Sequence, residues 1–286
     1  MTHSPGPTTR FAPSPTGRLH LGSAYSALFA EHAARCDDGA FLLRIEDIDQ
    51  TRCRPEFEAG IIEDLTWLGL TWPTPVRRQS DHMKDYAAAL DHLKAMGLVY
   101  PCFCTRANIR REIDAAAGAP HLSGPEGPIY PGTCRGLDVL ESQDRVAAGE
   151  AHAIRLHMRQ AIQQIGLLTW LDADHGPQAA TPGLFGDVIL ARKDVPTSYH
   201  MAATLDDHLQ GITLVTRGED LRDATHIHRL LQALLGWHTP TYQFHRVLTD
   251  EAGRRLSKRD KDLTILALRD AGKSQQDVFN MIGWPQ

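Results

Sequence analysis

Two stretches of this chain gather groups suited to handling anions. The first is RFAPSPTGRLHLGS, Arg10 to Ser23. Phe11 and Ala12 end a short strand, Pro13, Pro15 and Gly17 break regular structure, and Ser23 can cap a helix beginning at Ala24. A strand, a tight turn and a helix N-terminus present backbone N–H groups and a positive dipole end to an anion. His20 sits in that turn, and Gly22 leaves room for a flat ligand against the backbone. The second stretch is RRLSKRD, Arg254 to Asp260. There the compact ammonium of Lys258 suits a polyphosphate. Residues 252–273 hold seven Lys or Arg against three Asp, in a chain whose formal net charge is -5. A nucleic-acid site in such a chain must be a local patch, because no overall basic field supplies one.

The third chemical group is sulfur. The N-terminus, MTHSPGPTT, is polar and carries no apolar export segment, and no apolar run is long enough to span a bilayer. The expected location is the cytoplasm. Five cysteines, an odd number, then argue against a disulfide framework. Cys36 and Cys53 are isolated and read as packing or surface residues. Cys102 and Cys104 form C-x-C, and Cys134 follows in YPGTC beyond a loop rich in Gly and Pro. Three thiols in that pattern suit a structural zinc site, or pack together without metal. His121, in the intervening loop, is the conventional fourth ligand.

These groups need elements to position them. A chain of 286 residues with 42% hydrophobic and 23% charged residues has an ordinary globular composition and enough length to bury real cores. Ala24 to Arg35 reads as an Ala-rich helix, and Phe41 to Ile45 as a buried strand running into Glu46. Pro55 opens a helix carrying Phe57, Ile61, Leu65 and Leu68 on one face, and Tyr86, Leu90 and Leu93 mark another. Ile212 to Thr216 is a β-branched run that delivers Arg217 at its carboxyl end. Asp223 can cap the helix that follows, which Gly236 stops. Tyr242 to Leu248 is a further strand, and Ser274 with Asp277 resembles a capping box. Alternating strands and helices predict an α/β fold with a parallel sheet and crossover helices. Ligands of such sheets bind outside the carboxyl ends of the strands, where Arg10–Ser14 and Arg217 should both face. The pattern becomes irregular after Tyr100. The expected division is 1–100 and 188–240 as two halves of one nucleotide-binding domain, 101–187 as an insertion, and 241–286 as a mostly helical C-terminal segment.

The fragments RFAPSPTGRLHLGS, RIEDIDQTR, VTRGEDL and RLSKRD occur in the order found in class I aminoacyl-tRNA synthetases of the glutamyl type, which this chain resembles. HLGS stands where that class has HIGH, and RLSKR where it has KMSKS. Ser23 replaces the second His, and Arg255 the first Lys. The resemblance implies a Rossmann-like catalytic domain and a reaction in which the carboxylate of glutamate attacks the α-phosphorus of ATP, with Mg2+ accompanying the nucleotide. It places His20, Gly22, Ser23 and Lys258 at ATP, with His20 and Lys258 as the catalytic pair. It places Arg10, Phe11, Ala12, Pro13, Ser14, Glu46, Tyr199 and Arg217 at glutamate. Glu46 would hold the α-ammonium, and the two arginines would meet the carboxylates. It also points to Tyr130, instead of His121, as fourth ligand to one structural zinc ion beside Cys102, Cys104 and Cys134.

After RLSKRDKDLTI only a few tens of residues follow, too few for the helical anticodon-binding region of glutamyl-tRNA synthetases. The resemblance therefore narrows to the shortened glutamyl-queuosine tRNA(Asp) synthetases. These activate L-glutamate without tRNA and pass it to queuosine in the anticodon loop of tRNA(Asp). No membrane and no obligate protein partner is implied. The competing readings are a truncated glutamyl-tRNA synthetase charging the 3′ end of tRNA, an unrelated nucleotidyltransferase, and a non-enzymatic zinc-dependent RNA-binding module.

Overall fold

Strand Thr8–Phe11 lies where a three-stranded sheet and a four-stranded sheet abut to form the composite main sheet of this computed structural model, which describes residues 6–115, 123–249 and 264–285. On one side it pairs in parallel with Ala40–Ile45, which pairs in parallel with Arg77–Arg78. On the other side the Thr8 carbonyl accepts the N–H of Thr213, at the foot of strand Leu214–Gly218. That strand pairs in parallel with Thr241–His245, which meets Thr169–Asp172 in parallel at Tyr242 and Asp172. An antiparallel hairpin to Gly176–Ala179 closes the edge. The main sheet is thus parallel through its centre, as the alternation of strands and helices requires.

A second sheet is antiparallel and holds Val99–Cys102, Ala153–Leu156 and Ile189–Ala191. Residues 169–179 therefore belong to the main sheet, while Ile189–Ala191 belongs to the second. A short apolar run looks alike in either setting, so only the pairing distinguishes them.

Two cores hold these layers. Helix Leu21–Arg35 lays Ala24, Ala27, Leu28, Ala30 and Ala34 on the sheet, and its small residues allow close approach. Pro55 starts Pro55–Trp67, whose Ile61 and Leu65 are fully buried, each worth roughly 1.5–3 kcal/mol. The C-terminal helices Ile265–Asp270 and Gln275–Ile282 add Ile265 and Val278 to the same core. The capping box of Ser274 and Asp277 is present, and Gly283 ends the last helix at φ 61. Helices Met83–Ala95, Met158–Ile165, Tyr199–Leu209 and Ala224–Leu235 build the second core around Tyr86, Leu93, Leu156 and Leu230.

Two caps differ from the sequence expectation. The helix expected to start at Ala24 starts at Leu21, because the imidazole Nδ1 of His20 accepts the Ser23 N–H at 3.3 Å and does the capping itself. Asp223 makes no side-chain cap bond to the helix after it. None of the described helices is long and apolar enough to cross a membrane.

Candidate active site

The carboxyl ends of four parallel strands converge on a cavity of about 410 Å³. Arg10, Phe11, Ala12, Pro13, Ser14, Glu46, Tyr199 and Arg217 line it together with His20, Gly22 and Ser23. Residues up to 238 positions apart are thus neighbours in one chamber, and the backbone ties them further: the Glu46 N–H bonds the Pro13 carbonyl at 3.0 Å. Lys258 and His121 lie outside the described residues. The chain on either side of the Lys258 segment reaches the site, since Leu248 lines the cavity and Thr264 bridges to His20.

Arg10 is clamped from behind. Its Nε and Nη2 donate to the two carboxylate oxygens of Asp207 at 2.9 and 3.4 Å, and its Nη1 donates to the Thr216 carbonyl at 2.9 Å. Three of the five guanidinium N–H groups are used in this way, leaving two for a ligand. Asp207 also accepts from the fully buried Arg44 at 2.9 Å, and Arg44 in turn reaches Glu46 at 3.3 Å. Beneath them Asp206 binds Arg77, Gln79 and Tyr86. Burial alone would raise the pKa of Asp207, but Arg10 and Arg44 bring it below the usual carboxylate value. Burial raises that of Glu46, against the pull of Arg44 and Arg10. A cation arriving in the cavity would stabilise the Glu46 carboxylate, which suits an ammonium ligand.

Arg217 has different company. Its Nη1 lies 3.3 Å from His228 Nδ1, its Nη2 donates to the Thr225 hydroxyl, and its guanidinium stands 5.1 Å from the centre of the Tyr242 ring. Among the described residues no carboxylate pairs with it, and its buried Nε has no partner. Among those residues no ion pair compensates its charge. Tyr199 stands beside it, its ring 5.4 Å from that of His228.

The turn has its own logic. A Cβ at Gly22 would come within 3.0 Å of the His20 ring, so what fills the space at Gly22 is the capping imidazole. Glycine here keeps the cap in place.

In the smaller antiparallel part, Cys102, Cys104 and Cys134 place their sulfurs within 4.8 Å of one another. The Tyr130 hydroxyl is 3.4 Å from Cys102 Sγ and 3.5 Å from Cys104 Sγ, and it accepts the Cys134 N–H at 2.8 Å. Three thiols and a phenol facing one point can hold a tetrahedral metal ion.

The family model for the class I tRNA synthetases (E and Q), catalytic domain, matches residues 8–284. The chain belongs to that family. It is 46% identical over 285 residues to a glutamyl-Q tRNA(Asp) synthetase of Rhodobacter capsulatus, covering 96% of this chain and 99% of that one. A glutamate–tRNA ligase of Aquifex aeolicus is 36% identical over 96% of this chain but 57% of its own length. A glutamate tRNA ligase from Elizabethkingia meningosepticum, crystallised with its amino acid, superposes with TM-score 0.71 at 30% identity. That likeness covers 89% of this chain and 52% of the ligase, so the chain spans about half the length of such ligases.

Sequence reasoning missed the residues behind the cavity wall. Asp207, Thr225 and His228, which hold the two arginines, lie outside the motif fragments, and Arg44, which opens RIEDIDQTR, shares Asp207 with Arg10 from behind. It also passed over His245, Arg246, Val247 and Leu248, which line the cavity. The rule that strand carboxyl ends meet ligands, which singled out Arg217, applies equally to them.

Proposed function

We propose that this class I synthetase activates L-glutamate with ATP to glutamyl-adenylate, without tRNA, and then passes the glutamyl group to queuosine in the anticodon loop of tRNA(Asp). What carries this reading is the end-to-end match to the Rhodobacter capsulatus glutamyl-Q tRNA(Asp) synthetase. The cavity supplies matching chemistry. In the first step a carboxylate oxygen of glutamate bonds to the α-phosphorus of ATP, and the bond to pyrophosphate breaks. Protein groups mainly hold and neutralise, with Mg2+ sharing the phosphate charge.

Arg217 and Arg10 take the carboxylates, Glu46 the α-ammonium, and Tyr199 with Phe11–Ser14 shapes the wall. An uncompensated guanidinium favours a carboxylate side chain over the amide of glutamine. His20 fixes the helix N-terminus beside Gly22 and Ser23, where the phosphates of ATP would lie, and Lys258 supplies a further cation from the KMSKS-like stretch. A substrate of this kind places the reaction in the cytoplasm.

Cys102, Cys104, Cys134 and Tyr130 would hold one structural zinc ion, tying the C-x-C turn to the Tyr130–Cys134 segment. Metal analysis should find stoichiometric zinc in the purified protein and its loss in Cys102→Ser; zinc retained in that variant would sink the assignment.

The function is tested by glutamate-dependent ATP–pyrophosphate exchange without tRNA, followed by transfer of labelled glutamate. Exchange should be robust, and transfer should persist with tRNA(Asp) lacking its 3′-terminal adenosine but require queuosine. Absent exchange would sink the enzyme reading, and transfer lost with the terminal adenosine would point to the 3′ end as acceptor.

A further inference from the structure

Behind Arg217 a row of side chains leads out of the cavity. His228 Nδ1 lies 3.3 Å from Arg217 Nη1, and His228 Nε2 lies 3.4 Å from His200 Nδ1. His200 Nε2 then lies 3.1 Å from a carboxylate oxygen of Glu126. The three residues come from helix Ala224–Leu235, helix Tyr199–Leu209 and the turn joining Ser123–Gly124 to Gly127–Pro128. Both imidazoles are buried, and neither lines the cavity that holds Arg217.

The chemistry of the two ends decides where the protons sit. Arginine only donates and an ionised carboxylate only accepts, whereas a neutral imidazole offers one N–H and one lone pair. Arg217 therefore requires a lone pair on His228 Nδ1, which puts the proton on His228 Nε2. That proton requires a lone pair on His200 Nδ1, which puts the next proton on His200 Nε2, toward Glu126. Read from Glu126 inward, the requirements are the same. One tautomer of each ring satisfies the whole row, and it is the arrangement that both ends demand.

Burial, reinforced by the charge of Arg217, holds His228 well below the ordinary histidine pKa, so the ring is neutral at physiological pH. The hydrogen bond from His200 lowers the pKa of Glu126 and keeps it ionised. Only a lone pair meets the guanidinium from this side, with no negative charge.

We infer that His228, with its tautomer set through His200 by Glu126, is a positioning residue that orients Arg217 without cancelling its charge and so sets the preference for a carboxylate side chain over an amide. This rests on the proposal that Arg217 meets the side-chain carboxylate of glutamate. A carboxylate at position 228 would compete with the substrate for Arg217, while an amide oxygen would replace the lone pair without competing.

The test is exchange kinetics of the full chain with glutamate and with glutamine. His228→Asn places an amide oxygen near the position of Nδ1 and should keep KM for glutamate near wild type. His228→Asp should raise that KM about tenfold or more, the scale of a charge-assisted hydrogen bond, with kcat little changed and the preference over glutamine reduced. Glu126 is more than half exposed, at 56%, so it can be changed with little cost to folding. Glu126→Gln retains an acceptor and should be silent. Glu126→Lys offers only donors, reverses the row and should raise KM for glutamate in the same direction as His228→Asp. A wild-type KM in Glu126→Lys, or equal impairment of His228→Asn and His228→Asp, overturns the inference. If the wild-type protein itself shows no glutamate-dependent exchange, the failure lies with the proposed function instead.

Discussion

Arg10 enters the cavity from strand Thr8–Phe11 with Asp207 at its back, whereas Arg217 enters from Leu214–Gly218 among a hydroxyl, an imidazole and aromatic rings. Both guanidiniums are buried, at 7% and 5% exposure, so burial does not distinguish them. Their partners do. On the Arg10 side, Asp207 and Glu46 balance Arg10 and Arg44, and the cluster is close to self-contained. On the Arg217 side, the described residues provide orientation without an ion pair, and the proposed function gives that charge to an incoming anion. On the proposed function one wall of the chamber is built chiefly to be stable and the other to bind, and mutations should separate the two.

The largest effect should come from Arg217→Gln. Truncating one partner of a buried, hydrogen-bonded charge pair costs enough to lower glutamate-dependent exchange by about 10²- to 10³-fold. Because the partners of Arg217 are neutral, the unfolding midpoint of this variant should stay near that of the wild type. A large loss of stability with intact exchange would reverse the comparison.

Asp207→Asn should do the converse. It leaves Arg10 and Arg44 buried with their shared carboxylate gone, a change that costs on the order of 3–5 kcal/mol in denaturant unfolding. It should also alter the acid limb of the stability curve. The folded pKa of Asp207 lies below its unfolded value of 3.8, so its stabilisation is present above that value and is lost as pH falls through the folded pKa. Glu46, raised by burial, acts in the opposite sense and loses favour as pH rises through its folded value. Replacing Asp207 should therefore flatten the loss of stability below about pH 4; an unchanged acid limb would show that Asp207 is not the group titrating there.

Gly22→Ala touches neither arginine and should give the smallest effect. Its Cβ would press on the His20 ring and weaken the helix cap, a loss of about 1 kcal/mol with a modest rise in KM for ATP. A rise in KM for glutamate alone would mean that the turn serves the amino-acid wall.

The motif residues were legible in the chain because their chemistry depends on local geometry. A run of β-branched residues ending in Arg217 announces a strand with a cation at its carboxyl end, and proline and glycine announce the turn around His20. The cap was misassigned to Ser23 because hydroxyls are the common caps, and only the conformation of the turn brings the His20 ring to the orphan N–H. The strand pairings of 169–179 and 189–191 were hidden for a similar reason: short apolar runs fit either sheet.

By itself the sequence determined the alternation of strands and helices, the motif residues that line the chamber and the three sulfurs, because each follows from periodicity, turn chemistry or a motif. Tertiary structure alone decided the state of charge of the chamber. Asp207 lies 197 positions from Arg10, and Glu126 stands at the far end of a row that begins at Arg217. Coulomb and hydrogen-bond energies depend on distances of a few ångströms, and no spacing along the chain encodes which carboxylate will arrive behind which arginine.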